Sequence, residues 1–212
     1  MKIPDSNEAF NIAVIGMWNP AIFSPQWVKE HLSSDPMQEV TLAFALGSNN
    51  SVRVTVDGIN IFPAQNMCVL NCIEPNDDGI SLCAEKILSI CELLPHTPVT
   101  ALGFNFRYVG KLDDSQSLMQ LFNFNDIANI DSEKFKAAGS SVKRTFRLSE
   151  NDLLNISFDL NEDVVRVEFN YHSDVTSIQS LKEKVTPQRA LDLKKETLKF
   201  FADVYDIEVD FE

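Results

Sequence analysis

The chain is short of almost everything that marks an active site. It holds only 3 His and 7 Gly in 212 residues. His31, His96 and His172 stand apart, so there is no His-x-x-x-His pair and no Cys–His neighbour to ligate a metal. The glycines are scattered at turns and strand bends, which excludes a glycine-rich phosphate cradle and a Gly-x-Ser-x-Gly elbow. Basic residues are also scarce: 18 Lys+Arg face 31 Asp+Glu, a formal net charge of −13. Such a field repels phosphate backbones, so general DNA or RNA binding is disfavoured. No apolar run approaches the ~20 residues a membrane helix needs. The first residues carry early acids and no apolar segment, and are not expected to be a secretory signal. Cysteine is confined to Cys68, Cys72, Cys83 and Cys91. A secreted disulfide framework spreads its staples along the chain, so these residues point to a reducing cytoplasm.

What is present is a well-patterned globular chain. Hydrophobic residues make up 44% and include 15 Phe, enough for a core. Phe10–Met17 is a short apolar run and reads as a buried strand. Ser24 caps a helix with Pro25 at its first position and Phe23 and Val28 in staple positions. Strands follow: Val40–Leu46, Val52–Val56 after a turn at Gly47–Asn50, Ile59–Phe62 after Asp57-Gly58, and Met67–Ile73. Ser81–Leu94 is apolar around most of its circumference and reads as a buried helix. Val99–Tyr108 begins a second series. It continues with a helix from Asp114 or Ser115 to Phe122, a polar stretch with a short helix at 132–138, and a meander. In the meander Leu154, Ile156 and Phe158 share one face, and Val165, Val167, Phe169 and Tyr171 another. Thr186 and Pro187 open a final helix with Leu191, Leu198, Phe201 and Tyr205 on its buried side, and Ile178, Leu181 and Val185 suggest a short helix before it.

This order says one thing twice. Residues 10–94 and 98–205 each read strand, helix, three or four strands, helix, within a single domain spanning 1–212. The expected fold class is α+β: two similar halves forming a curved antiparallel sheet with helices on one face. By element order the chain resembles the TATA-box-binding-protein-like fold. The resemblance implies that architecture alone, since no residue motif of that family is present and the acidity departs from a DNA-binding saddle. Superposing residues 13–17 on 100–104 makes Gly16 and Gly103 counterparts, and pairs the helix 81–94 with that at 187–205.

Candidate surfaces each have two readings. The four cysteines could form a thiolate site, yet lack a Cys-x-x-Cys knuckle and read as small core residues; no metal or cofactor is expected. Arg53, Thr55 and Asp57, then Lys143, Thr145 and Arg147, then Arg166, Glu168, Asn170 and His172 line the wet face of three strands. There the arginines could bind an anion or a carboxylate, or form ordinary cross-strand ion pairs. His172 beside Glu168 could make an acid–base pair or a solvated one. Trp18, Phe23 and Trp27 gather at one strand–helix corner, as interface anchors or as corner core. The acids at Asp203, Asp206, Glu208, Asp210 and Glu212 alternate with Val204, Ile207, Val209 and Phe211, as an edge strand or a site for a basic partner. The leading expectation is a non-enzymatic cytoplasmic module that binds another protein, a basic one by charge, through Trp18, Phe23, Trp27, Arg147, Arg166 and His172. An acidic nucleic-acid mimic, an enzyme with a site between the halves, and self-association stay open.

Overall fold

A computed structural model describes residues 1–2, 9–35, 37–44, 52–124, 134 and 138–210. The expected turn at 47–50 and helix at 132–138 fall largely outside these residues. The described residues form an α+β fold with one open antiparallel sheet of nine strands: β1 (Phe10–Gly16), β2 (Thr41–Phe44), β3 (Val52–Val56), β4 (Ile59–Pro63), β5 (Met67–Cys72), β6 (Val99–Lys111), β7 (Gly139–Arg147), β8 (Asp152–Asn161) and β9 (Val164–Asp174). Their order across the sheet is β2-β3-β4-β5-β1-β6-β9-β8-β7. The strands that open the two series, β1 and β6, therefore lie side by side at the centre.

Among the described residues five α-helices accompany the sheet: α1 (Pro25–Leu32), α2 (Asp77–Leu93), α3 (Gln116–Leu121), α4 (Ile178–Lys184) and α5 (Pro187–Tyr205). Their starts follow local chemistry. Ser24 accepts from the Trp27 N–H, Ser115 from Ser117, Ser177 from Ser180 and Thr186 from Arg189, each satisfying an orphan first-turn donor. α2 starts four residues earlier than the apolar stripe indicates. Asn76 caps it, and Asp77 and Asp78 occupy its first turn, where their charge complements the helix dipole. The described residues after α5, 206–210, form no strand; among them Asp210 makes an isolated parallel bridge to Lys2.

One face of the sheet meets the helices. Ile12, Val14, Leu70, Leu102, Phe106, Ile156, Phe158 and Phe169 point into this layer and are buried. Phe201 of α5 wedges between Tyr108 and Phe169, with ring centroids 5.0 and 4.9 Å away. Tyr205 packs on Phe158 at 5.0 Å and accepts a 2.6 Å hydrogen bond from Arg144 of β7. α2 and α5 lie against each other, linked by Lys194 to Asp77 at 2.7 Å. Burying a side chain of this size contributes about 1.5–3 kcal/mol, so α5 is held chiefly by its aromatic stripe.

The two glycines expected to be counterparts differ in place. Gly103 sits opposite Ala13 in mid-strand, on the face away from the helices, where an added Cβ would lie 3.1 Å from the Asn170 amide nitrogen. Gly16 lies past a register shift, opposite Val99, where an added Cβ would lie 2.4 Å from the Pro98 carbonyl oxygen.

Candidate functional site

No described helix packs on the other face of the sheet, and its central feature is a row of amides. Six strands carry an asparagine between two apolar residues: Phe10-Asn11-Ile12, Ile59-Asn60-Ile61, Leu70-Asn71-Cys72, Phe104-Asn105-Phe106, Leu154-Asn155-Ile156 and Phe169-Asn170-Tyr171. Alternation turns the apolar residues of each triplet to the helices and the asparagine away from them. The register then sets all six asparagines side by side. Asn60 pairs with Asn71, Asn71 with Asn11, Asn11 with Asn105, Asn105 with Asn170, and Asn170 with Asn155. Thr55 extends the row at one end and Thr145 at the other. With strands ~4.8 Å apart, the eight positions span about 34 Å.

Much of the row is a directional hydrogen-bonded chain. Thr145 donates to the Asn155 carbonyl oxygen at 2.8 Å, Asn155 to Asn170 at 3.0 Å, Asn170 to Asn105 at 2.7 Å and Asn105 to Asn11 at 2.7 Å. At the other end Thr55 donates to Asn60 at 2.7 Å. Asn155, Asn170 and Asn105 each spend one donor and one acceptor on their neighbours and retain one N–H and one lone pair, whereas Asn11 and Asn60 only accept. Between these segments the Asn60 Nδ2 and the Asn71 Oδ1 have no partner, although both residues are buried. Gly103 keeps the space beside Asn170 and Asn105 free of a side chain.

Charge flanks the row. The face carries Arg53, Arg107, Lys143, Arg147 and Arg166 against Asp159, Glu168 and Asp174. The Arg107 Nε donates to Glu168 at 2.6 Å. Arg147 and Arg166 are exposed near the β7 side, and Arg147 donates to the Glu150 carbonyl at 3.3 Å. This face therefore does not share the acidity of the whole chain. The excess carboxylates lie on helices, such as Asp77, Glu85, Glu92 and Glu196, in turns, such as Asp35, Glu74, Glu150 and Glu162, and after α5.

Three expected groupings come out differently. His172 contacts Asp174 at 3.1 Å, while Glu168 is taken by Arg107. Asp57 leaves the wet face. It opens the β3–β4 hairpin with a left-handed φ of 51°, and its carboxylate reaches Lys86 of α2 at 2.6 Å and the Ser34 N–H at 2.7 Å. Burial opposes its ionisation, but Lys86 and Ser34 together hold its pKa below the usual carboxylate value. At the aromatic corner, Trp18 and Phe23 are buried, and the Trp18 indole N–H donates to the Val14 carbonyl at 3.1 Å. The corner fills core, and burial removes those two rings from surface contact. Only Trp27 is partly exposed, stacked between Phe23 and His31.

The cysteines are all free and buried. Burial pushes the Cys91 thiol up to about 12 and Cys68 higher still. Cys72 goes the other way: the Cys83 thiol donates to it and favours its thiolate against the cost of burial, with Lys194 adding attraction. Among the described residues no group of three or more His, Cys, Asp or Glu is arranged to hold a metal ion. No described helix is long and apolar enough to cross a membrane.

A hollow of about 440 Å³ at the ends of β8 and β9 includes His172, Asp152, Lys184 and Arg189. Burial disfavours the Asp152 charge, but Lys184 at 2.6 Å, Ser149 and Ser173 outweigh it and bring its pKa down to about 2. A carboxylate held so firmly ionised is a poor general base near neutral pH. In comparisons with known proteins, no family model and no curated protein matches this chain.

Proposed function

We propose that this protein is a binding module that holds another protein on the sheet face against which no described helix packs. The amide row is the observation that carries the reading. Its Thr145, Asn155 and Asn170 end reaches the surface, flanked by the exposed guanidinium groups of Arg147 and Arg166, while Asn11, Asn60, Asn71 and Asn105 are buried. Those groups suit a partner with carboxylates, which they can bind bidentately. The acid excess outside this face is spread over helices and turns, so charge alone favours a basic partner less than the face favours an acidic one.

We also infer that the two series of elements arose by duplication, in an arrangement resembling the TATA-box-binding-protein-like fold. The strand order supports this: β1 and β6 are central, and β5, β4 and β3 run outward on one side as β9, β8 and β7 do on the other. The row supports it too, since Asn11, Asn71, Asn60 and Thr55 mirror Asn105, Asn170, Asn155 and Thr145. The counterparts are then Phe10-Asn11-Ile12 and Phe104-Asn105-Phe106, seven residues away from the alignment on glycines.

The test is quantitative capture of partners from the source cell by purified wild type and variants, followed by affinity measurement with the partner identified. Arg147→Glu combined with Arg166→Glu should weaken binding at least tenfold, because like charges then face the partner's carboxylates. Lys195→Glu, on the exposed side of α5, should leave binding unchanged. Equal binding by wild type and the double variant refutes the reading. Loss on Trp27→Ala instead moves the contact to the aromatic corner.

A further inference from the structure

We infer that the outer edge of β7 takes an extended acidic segment of a partner protein as an added antiparallel strand. This rests on the reading of the sheet face as the site of a partner with carboxylates, and says how that partner is held. A sheet edge presents a row of N–H and C=O groups ready to pair with another strand. The two edges of this sheet are unlike. β2, Thr41–Phe44, is short, and shortness is one way to blunt an edge. β7 runs for nine residues, without a proline and in unbroken register with β8. Apart from Ser140 and Val142, every residue of β7 is exposed.

The hydrogen bonding shows which groups point outward. Just past β7 the Leu148 N–H donates to the Asp152 carbonyl at 2.9 Å. Alternation along an antiparallel ladder then turns the backbone of Phe146, Arg144 and Val142 toward β8. The N–H and C=O groups of Ser141, Lys143, Thr145 and Arg147 face the other way, and have no partner among the described residues. Side-chain alternation puts Lys143 and Arg147 on the amide-row side with Thr145. β7 also carries Arg144 and no carboxylate.

That charge selects the occupant. Two copies of β7 paired about Lys143 set Lys143 against itself, and paired about Thr145 set Lys143 against Arg147. Like charges directly opposite destabilise a strand pair, so a second copy fits poorly. A segment with acids at every second position faces Lys143 and Arg147 instead. Its intervening apolar residues then lie beside Val142 and Phe146, and the Phe146 ring is still 39% exposed.

The test is titration of the full chain with a capped seven-residue peptide of alternating glutamate and valine. A second peptide has the same charge but is N-methylated at each glutamate, whose N–H faces β7 in this pairing. The first should bind at least tenfold more tightly than the second, and should slow amide exchange at Ser141, Lys143, Thr145 and Arg147. Thr145→Pro removes one outward N–H and leaves the β7–β8 bonds in place, as edge strands allow. It should weaken binding of the first peptide at least tenfold; Lys195→Glu should not. Equal affinity for the two peptides, binding of neither, or unchanged exchange along β7 overturns the inference. The sheet-face reading then still stands or falls by Arg147→Glu with Arg166→Glu. A dimer of the free protein that Thr145→Pro dissociates gives the edge to a second copy and also overturns it.

Discussion

Asn105 is the residue on which the amide row turns. It donates to Asn11 and accepts from Asn170, joining strands from the two series. Asn105→Ala strands an acceptor on Asn11 and a donor on Asn170 in a crowded layer. We predict a loss of about 2–4 kcal/mol in urea unfolding, from about 1–3 kcal/mol per unsatisfied group. Thr145→Val at the exposed end should cost less than about 1 kcal/mol. Asp152 gives a pH signature. Its folded pKa of about 2 lies below the ordinary 3.8, so its contribution is fully present above pH 4 and is lost as pH falls toward 2. Because the pair is about a third exposed, that contribution is discounted to roughly 1–2 kcal/mol. Lys184→Met should remove most of it, so the stability curves of variant and wild type should converge only as pH falls to about 2.

Elements here are defined by their ends. Caps and first-turn prolines place α1, α4 and α5 where the sequence pattern puts them, because the interactions span only three or four residues. α2 extends a turn further back, since its Asn76 cap and first-turn acids are polar and escape an apolar stripe. The β1–β6 junction rests on close approach. At Gly16 a Cβ would lie 2.4 Å from the Pro98 carbonyl, which is backbone and cannot swing aside. Gly16→Ala should destabilise by about 1–3 kcal/mol, as overpacking does. Gly103→Ala presses first on a side-chain amide at 3.1 Å and should cost less. Thermal or denaturant unfolding of the two variants makes the comparison, and equal losses would show that the Pro98 carbonyl shifts freely.

At the scale of the molecule, the question is where the charge and the polar groups end up. A formal charge of −13 suggests an acidic surface throughout. In the folded chain the sheet face carries Arg53, Arg107, Lys143, Arg147 and Arg166 against Asp159, Glu168 and Asp174, and other carboxylates lie on helices and in turns. Net charge is a sum and carries no geometry, so the long-range field and the local face can differ in sign.

Much of the fold was legible in the sequence. Period-two alternation determined which residues of β3, β8 and β9 face the core, and capping chemistry determined most helix starts, because both act over a few neighbouring residues. The six apolar–Asn–apolar triplets were visible as well, but each alone reads only as the solvent side of one strand. Only the tertiary structure decided that they form a single row. Asn11 and Asn105 are 94 residues apart, and their contact depends on strand order and register, which are fixed by packing across the whole sheet. The same holds for Trp18, buried by the corner it closes, and for Asp57, turned from the wet face to Lys86 at a hairpin whose two residues, Asp57 and Gly58, are left-handed. Local rules act over a turn of chain. The candidate sites were built by contacts between segments far apart in it.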